Sequence, residues 1–262
     1  MAQMTLDEMV AQLRAAYGGG LHAVVLYGSA ARAEGARPGG TAPGRRYDLL
    51  VIVERLGMDE LRRVAPTARA WQEAGHPAPL TLTLREWRSS ADVFPMEYSD
   101  VLDAHRVLHG ALPTEGLVVR LGDLRRELEH QVLGKLLQLR AGVLAAGNDG
   151  KRQLALLEAS RGTMLVLFRA VARLHGERPA ADAEGLVRWA GGQAGFDAAP
   201  FVRVVRHAAG AERLTPGDAA GVLAGELEAL ERLVAHVDAL RVDASPRSNA
   251  GGVADTDAAS AP

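Results

Sequence analysis

The chain has no cysteine in its 262 residues. That excludes a disulfide framework, a thiolate metal site and a cysteine nucleophile, and it suits a reducing cytoplasm, the location expected here. Aromatic residues are scarce at 4%, while Ala, Arg, Gly and Leu are plentiful. Short motifs built from small residues are therefore easily met by chance, and only ordered sets of residues carry weight. No uninterrupted apolar run approaches the roughly 20 residues of a membrane span, so no membrane partner is expected. The start, MAQMTLDEMV, is amphipathic and acidic and predicts no secretory signal. There is no basic excess: Lys and Arg number 30 against 32 Asp and Glu, for a net charge of −2, so nucleic acid is not an expected partner. What is present, 48% hydrophobic and 24% charged residues, is ordinary globular composition in a chain long enough for two modest domains.

Thr5-Leu6-Asp7-Glu8 has the form of a capping box, and Leu6, Met9, Val10 and Leu13 follow at helical spacing until Gly18-Gly19-Gly20 stops them. HAVVLY (22–27) and YDLLVIVE (47–54) predict buried strands around a Gly/Pro/Arg-rich loop, 35–46. A helix is expected over 58–75 with a break at Pro66, and a third strand over 80–84. Thr83 and Glu86 then form a second capping-box pair opening a short helix, with Trp71 and Trp87 as core residues. After Pro113 the period becomes helical. Leu121, Leu124, Leu128, Val132, Leu136, Leu139 and Val143 line one face of a long helix, which Leu133, Leu137 and Leu144 widen. Further helices are expected around 154–172, 201–205 and 223–237. The predicted organisation is an α+β domain with a small mixed sheet over 1–115, an all-α bundle over 116–242, and a disordered Ala/Ser/Asp/Gly-rich tail over 243–262.

Chemistry concentrates in one ordered set: Leu26-Tyr27-Gly28-Ser29, Arg32 shortly after, and Asp48 opening the next strand. This set resembles the nucleotidyltransferase superfamily of DNA polymerase beta, kanamycin nucleotidyltransferase and the small MNT proteins. The ending Val107-Leu108-His109-Gly110 is similar to the family's terminal strand, and the antibiotic-modifying branch also carries a helical second domain. The resemblance implies that Gly28 and Ser29 hold a nucleotide triphosphate at the start of a helix, where free amides and the helix dipole favour phosphate. It implies that Arg32 neutralises phosphate charge. It makes Asp48 the catalytic and metal-binding carboxylate, with Mg²⁺ as cofactor and ATP or another nucleoside triphosphate as ligand.

The family places two carboxylates on one face of that strand by an Asp-x-Asp spacing, and a third on a later strand. Here Arg46 stands where the first carboxylate belongs, Asp48 takes the second position, and the 80–84 strand offers only Thr81 and Thr83. A cation at a cation site repels the metal. One expected carboxylate of three is therefore present, with Glu34 and Glu54 as the candidate replacements. The implied function is a catalytically impaired, nucleotide-binding and regulatory module. The alternatives are an active Mg²⁺-dependent transferase acting on a small-molecule acceptor, and an antitoxin-like or structural module with a protein partner. Arg169 and His175 (RAVARLH) resemble the Arg/His signature of HEPN ribonucleases, against a solvated helix end as the simpler reading. Glu127, Glu129 and His130 are candidates to face a cleft from the long helix.

Overall fold

The computed structural model describes residues 4–32, 46–180 and 182–242. The first half interleaves helices and strands: α1 (Leu6–Tyr17), β1 (Leu21–Tyr27), α2 (Ser29–Arg32), β2 (Asp48–Val53), α3 (Met58–Glu73), β3 (Leu80–Thr83), then two helices, α4 (Leu84–Ser89) and α5 (Pro95–Asp103), and β4 (His105–Gly110). The strands form one mixed sheet in the order β3-β2-β1-β4, with β2 and β3 parallel and the other pairings antiparallel. β1 and β2 are continuous apolar runs because both of their faces are covered. Val24, Leu26, Leu49, Val51 and Val53 meet Leu6, Met9, Leu13 and Trp71 from α1 and α3. Ala23, Val25, Leu50 and Ile52 meet Trp87 and Tyr98 from α4 and α5.

Both capping boxes form. The Glu8 amide donates to Thr5 Oγ1 at 3.2 Å while the Thr5 amide donates to Glu8 Oε2 at 2.8 Å. Thr83 and Glu86 repeat the pair at 3.2 and 2.8 Å. Thr5→Ala is expected to destabilise the protein by about 1 kcal/mol in denaturant unfolding. No measurable loss would mean that α1 is held by the burial of Leu6, Met9 and Leu13 alone.

The break expected at Pro66 does not occur: α3 runs from Met58 to Glu73 with the proline inside it. An internal proline costs a helix about 3 kcal/mol. Tertiary contacts offset that cost. Trp71 is fully buried, and the Thr67 hydroxyl donates to Gln12 Oε1 at 2.9 Å, fastening the following turn to α1.

The second half consists of α6 (Leu121–Ala146), α7 (Gly150–Leu174), α8 (Ala183–Ala194), α9 (Ala199–Ala208) and α10 (Ala219–Ala239). Its core joins Leu124, Leu128, Val132, Leu136 and Leu139 of α6 to Phe168 of α7, which packs on Phe196 and Phe201 with ring centroids 5.7 and 5.2 Å away. Leu133, Leu137 and Leu144 do not widen the buried face; they are exposed, Leu144 by 84%. They lie roughly 120–165° around the helix from the centre of the buried stripe, the stripe that packs into the core shared with α7 and α10. α8 is an element the periodicity did not predict. The tail from 243 and most of the loop before Asp48 lie outside the described residues. No helix among the described residues is long and apolar enough to cross a membrane.

Candidate functional site

β1 delivers Tyr27 to the edge of the first half, and Gly28 turns the chain into α2 with φ +73°, a conformation that L side chains rarely adopt. The Arg32 amide donates to the Gly28 carbonyl at 3.2 Å, so Ser29 opens a single helical turn. Tyr27 is paired with Asp48 across the β1–β2 ladder. A Cβ on Gly28 would stand 3.1 Å from Asp48 Oδ2, a tight approach that adds to the preference for glycine set by the backbone angle. The Gly28 turn and Asp48 are thus adjacent.

Alternation puts Asp48 on the sheet face of Leu50 and Ile52, the face covered by α4 and α5. There α5 supplies carboxylates that the sequence reading did not assign. Burial raises the Asp48 carboxyl above its ordinary value. Arg46 pulls it back down, and the charge of Asp100 on α5 adds to the rise. The Tyr27 phenol is raised by burial first, then by Asp48, Glu97 and Asp100. Glu97 is itself raised, by burial and by the charges of Glu127 and Asp100. Asp48, Tyr27, Glu97 and Asp100 therefore share one poorly solvated electrostatic environment, which Glu127 of α6 borders from the helical half.

Arginines cross the same seam. Arg32 Nη2 lies 3.0 Å from Asp100 Oδ1. Arg173 of α7 donates through Nη2 to that same oxygen and through Nε to Asp103 Oδ2 at 2.7 Å. Arg169, one helical turn before Arg173, is held down to about 10, by burial first and then by the like charges of Arg32 and Arg173, with Asp100 opposing. The spacing of Glu97, Asp100 and Asp103 by threes, and of Arg169 and Arg173 by four, is the signal in the sequence that could have marked two facing helices.

Several candidates lie elsewhere. Glu54 is at the opposite end of β2 from Asp48, where it accepts from His22 Nε2 at 2.7 Å, so it does not replace a motif carboxylate. Thr81 and Thr83 are level with Val51 and Val53 rather than with Asp48, because β3 begins opposite Leu50. Glu34 lies outside the described residues. Glu129 pairs with Arg125 at 3.1 Å and His130 is exposed, leaving Glu127 as the one of the three at the seam. His175 is engaged elsewhere than at Arg169. Its Nε2 is 2.9 Å from His236 Nε2 and its ring packs edge-on against Trp189. The larger surface hollows, of about 580 and 680 Å³, lie beside Gly18 and His109 and beside Arg120 and Leu240, away from Asp48.

Among the described residues, those around Asp48 do not fit a two-Mg²⁺ centre. Asp48 has the Arg46 charge upon it, and the Asp100 carboxylate is engaged by two guanidinium groups. Comparison with protein-family models and with curated proteins finds no match, so the resemblance rests on the residues and geometry described above.

Proposed function

We propose that the chain is a nucleotide-binding protein with a nucleotidyltransferase-like first half whose metal-dependent catalysis is lost or impaired, and that it acts as a regulatory module. The observation that supports this reading is the juxtaposition at the β1–β2 edge. A positive-φ glycine opens a helical turn at Ser29 directly against Asp48, while the neighbouring cation, Arg46, takes the place of a second carboxylate. The turn offers backbone amides and the Ser29 hydroxyl to phosphate oxygens. Arg46 next to Asp48 favours an anion over a divalent cation.

A second reading, Mg²⁺-dependent transfer of a nucleotidyl group from ATP to a small molecule, is favoured by the carboxylate of Glu97, which shares the environment of Tyr27 with Asp48. One experiment separates the readings: the unfolding midpoint with and without ATP, each with and without Mg²⁺. A ligand that binds only the folded state stabilises it by about 2.7 kcal/mol at a hundredfold excess over its dissociation constant. The proposal expects a rise with ATP alone. A rise that requires Mg²⁺ would move the assignment to the active transferase, for which Asp48→Asn should abolish turnover. No rise at saturating ATP would leave the antitoxin-like, partner-binding alternative.

A further inference from the structure

We infer that Arg32, Arg169 and Arg173 form a binding site for the phosphate chain of a polyphosphate anion at the seam between the two halves, with α7 supplying two of the three cations. Arg173 has a side chain only 5% exposed, and its Nη1 is buried with no hydrogen-bond partner among the described residues. Arg32, at 15% exposure, has Nη1 and Nη2 in the same condition: Nη2 is near Asp100 Oδ1 but not aligned to donate to it. Arg169 makes no hydrogen bond or ion pair among the described residues, although its half-buried guanidinium lies close enough to Arg32 and Arg173 to be repelled by them. An arginine cannot relieve such a position by losing its proton at physiological pH, so these groups stay donors. Buried donors without acceptors are costly, and native structures seldom leave several together.

The charges agree. Arg32 and Arg173 share the Asp100 carboxylate and Arg173 also holds Asp103, which leaves Arg169 as the cation of the three without a paired carboxylate among the described residues. A phosphate chain supplies acceptor oxygens in the geometry that guanidinium forks match. Asp48 and Glu97 also feel the charge of Asp100, and as carboxylates they repel an anion, which favours phosphates beside the arginines of α7. Arg32 closes the turn begun at Gly28, so the site adjoins the nucleotide position proposed above. That a nucleotide is the source of the phosphate chain rests on that reading; the anion site itself does not.

The test is calorimetric titration of the full chain with inorganic tripolyphosphate and, separately, with ATP, both without Mg²⁺, for the native protein and Arg169→Gln. Binding of either ligand is expected to weaken by about tenfold or more in the variant, the effect of losing a charge-assisted hydrogen bond. The unliganded variant should unfold at the same midpoint as the native protein or a higher one, because an unpaired cation has been removed. A purely structural arginine would lower that midpoint. Tripolyphosphate binding that is lost in the variant, with no binding of ATP, would support the anion site and sink the nucleotide reading. ATP binding undiminished in the variant would do the reverse. Failure of both ligands to bind the native protein would overturn the site.

Discussion

Replacing Asp100 by alanine is expected to cost about 3–5 kcal/mol of folding free energy, the range for removing one partner from a buried ion pair. The carboxylate is 10% exposed and faces Arg32 and Arg173 through a single oxygen. Its removal leaves two buried guanidinium groups of which one, on Arg173, keeps Asp103 as an acceptor at 2.7 Å. Most of the loss is the desolvation cost of the cations left behind rather than the worth of the pair itself. For that reason Arg173→Met should relieve part of the damage: the double variant Asp100→Ala/Arg173→Met is expected to be more stable than the two single losses predict when added. A coupling of about 1–3 kcal/mol in this cycle would be read from urea unfolding midpoints at constant m-value. A single-variant loss below about 1 kcal/mol, as for an exposed pair, would show that the seam is open to solvent. Because Asp100 lies on α5 and Arg173 on α7, the same variants should increase amide exchange at the contact between the two halves.

How much of this was legible in the sequence depended on whether the signal was local. The capping boxes at Thr5 and Thr83 involve residues three apart, and both formed. The strand–turn–strand set from Leu26 to Asp48 was also legible, because two buried strands and a positive-φ glycine impose their residue types directly. The alternation that assigns Asp48 a sheet face follows from strand geometry alone. Asp100 and Arg173 lie 73 residues apart and meet only because two helices from different halves face one another, which no window of the sequence records. α8 (AEGLVRWAGGQA) was missed because Ala and Gly weaken its apolar period. Pro66 misled for the opposite reason: a strong local breaker was overruled by packing at Thr67 and Trp71.

The stability of the helical half should fall as pH rises through neutrality, and Glu226 is the expected cause. This α10 residue is 1% exposed, and its Oε2 has no hydrogen-bond partner among the described residues. Met164, Phe168 and Val187 line the gap beside it, together with Arg161. Burial pushes its carboxyl from the ordinary 4.5 up to about 8, with the charge of Lys135 and a hydrogen bond involving Ser160 acting in the opposite direction. The folded state therefore holds a proton that the unfolded chain releases above its ordinary value. Between those two values the folded state binds more protons, so stability declines with pH and levels off once the buried group ionises. The decline is about 1.4 kcal/mol per pH unit for one such group. Glu226→Gln keeps the shape and removes the titration. Unfolding free energies of native protein and variant should differ little near pH 5 and diverge in the variant's favour toward pH 8, by about 2–4 kcal/mol. Other shifted groups, including Asp48, Glu97 and His236, contribute equally to both proteins and cancel in the difference. Parallel pH profiles for the two proteins would mean that Glu226 reaches solvent or meets a cation, Lys135 or Arg161, when it ionises.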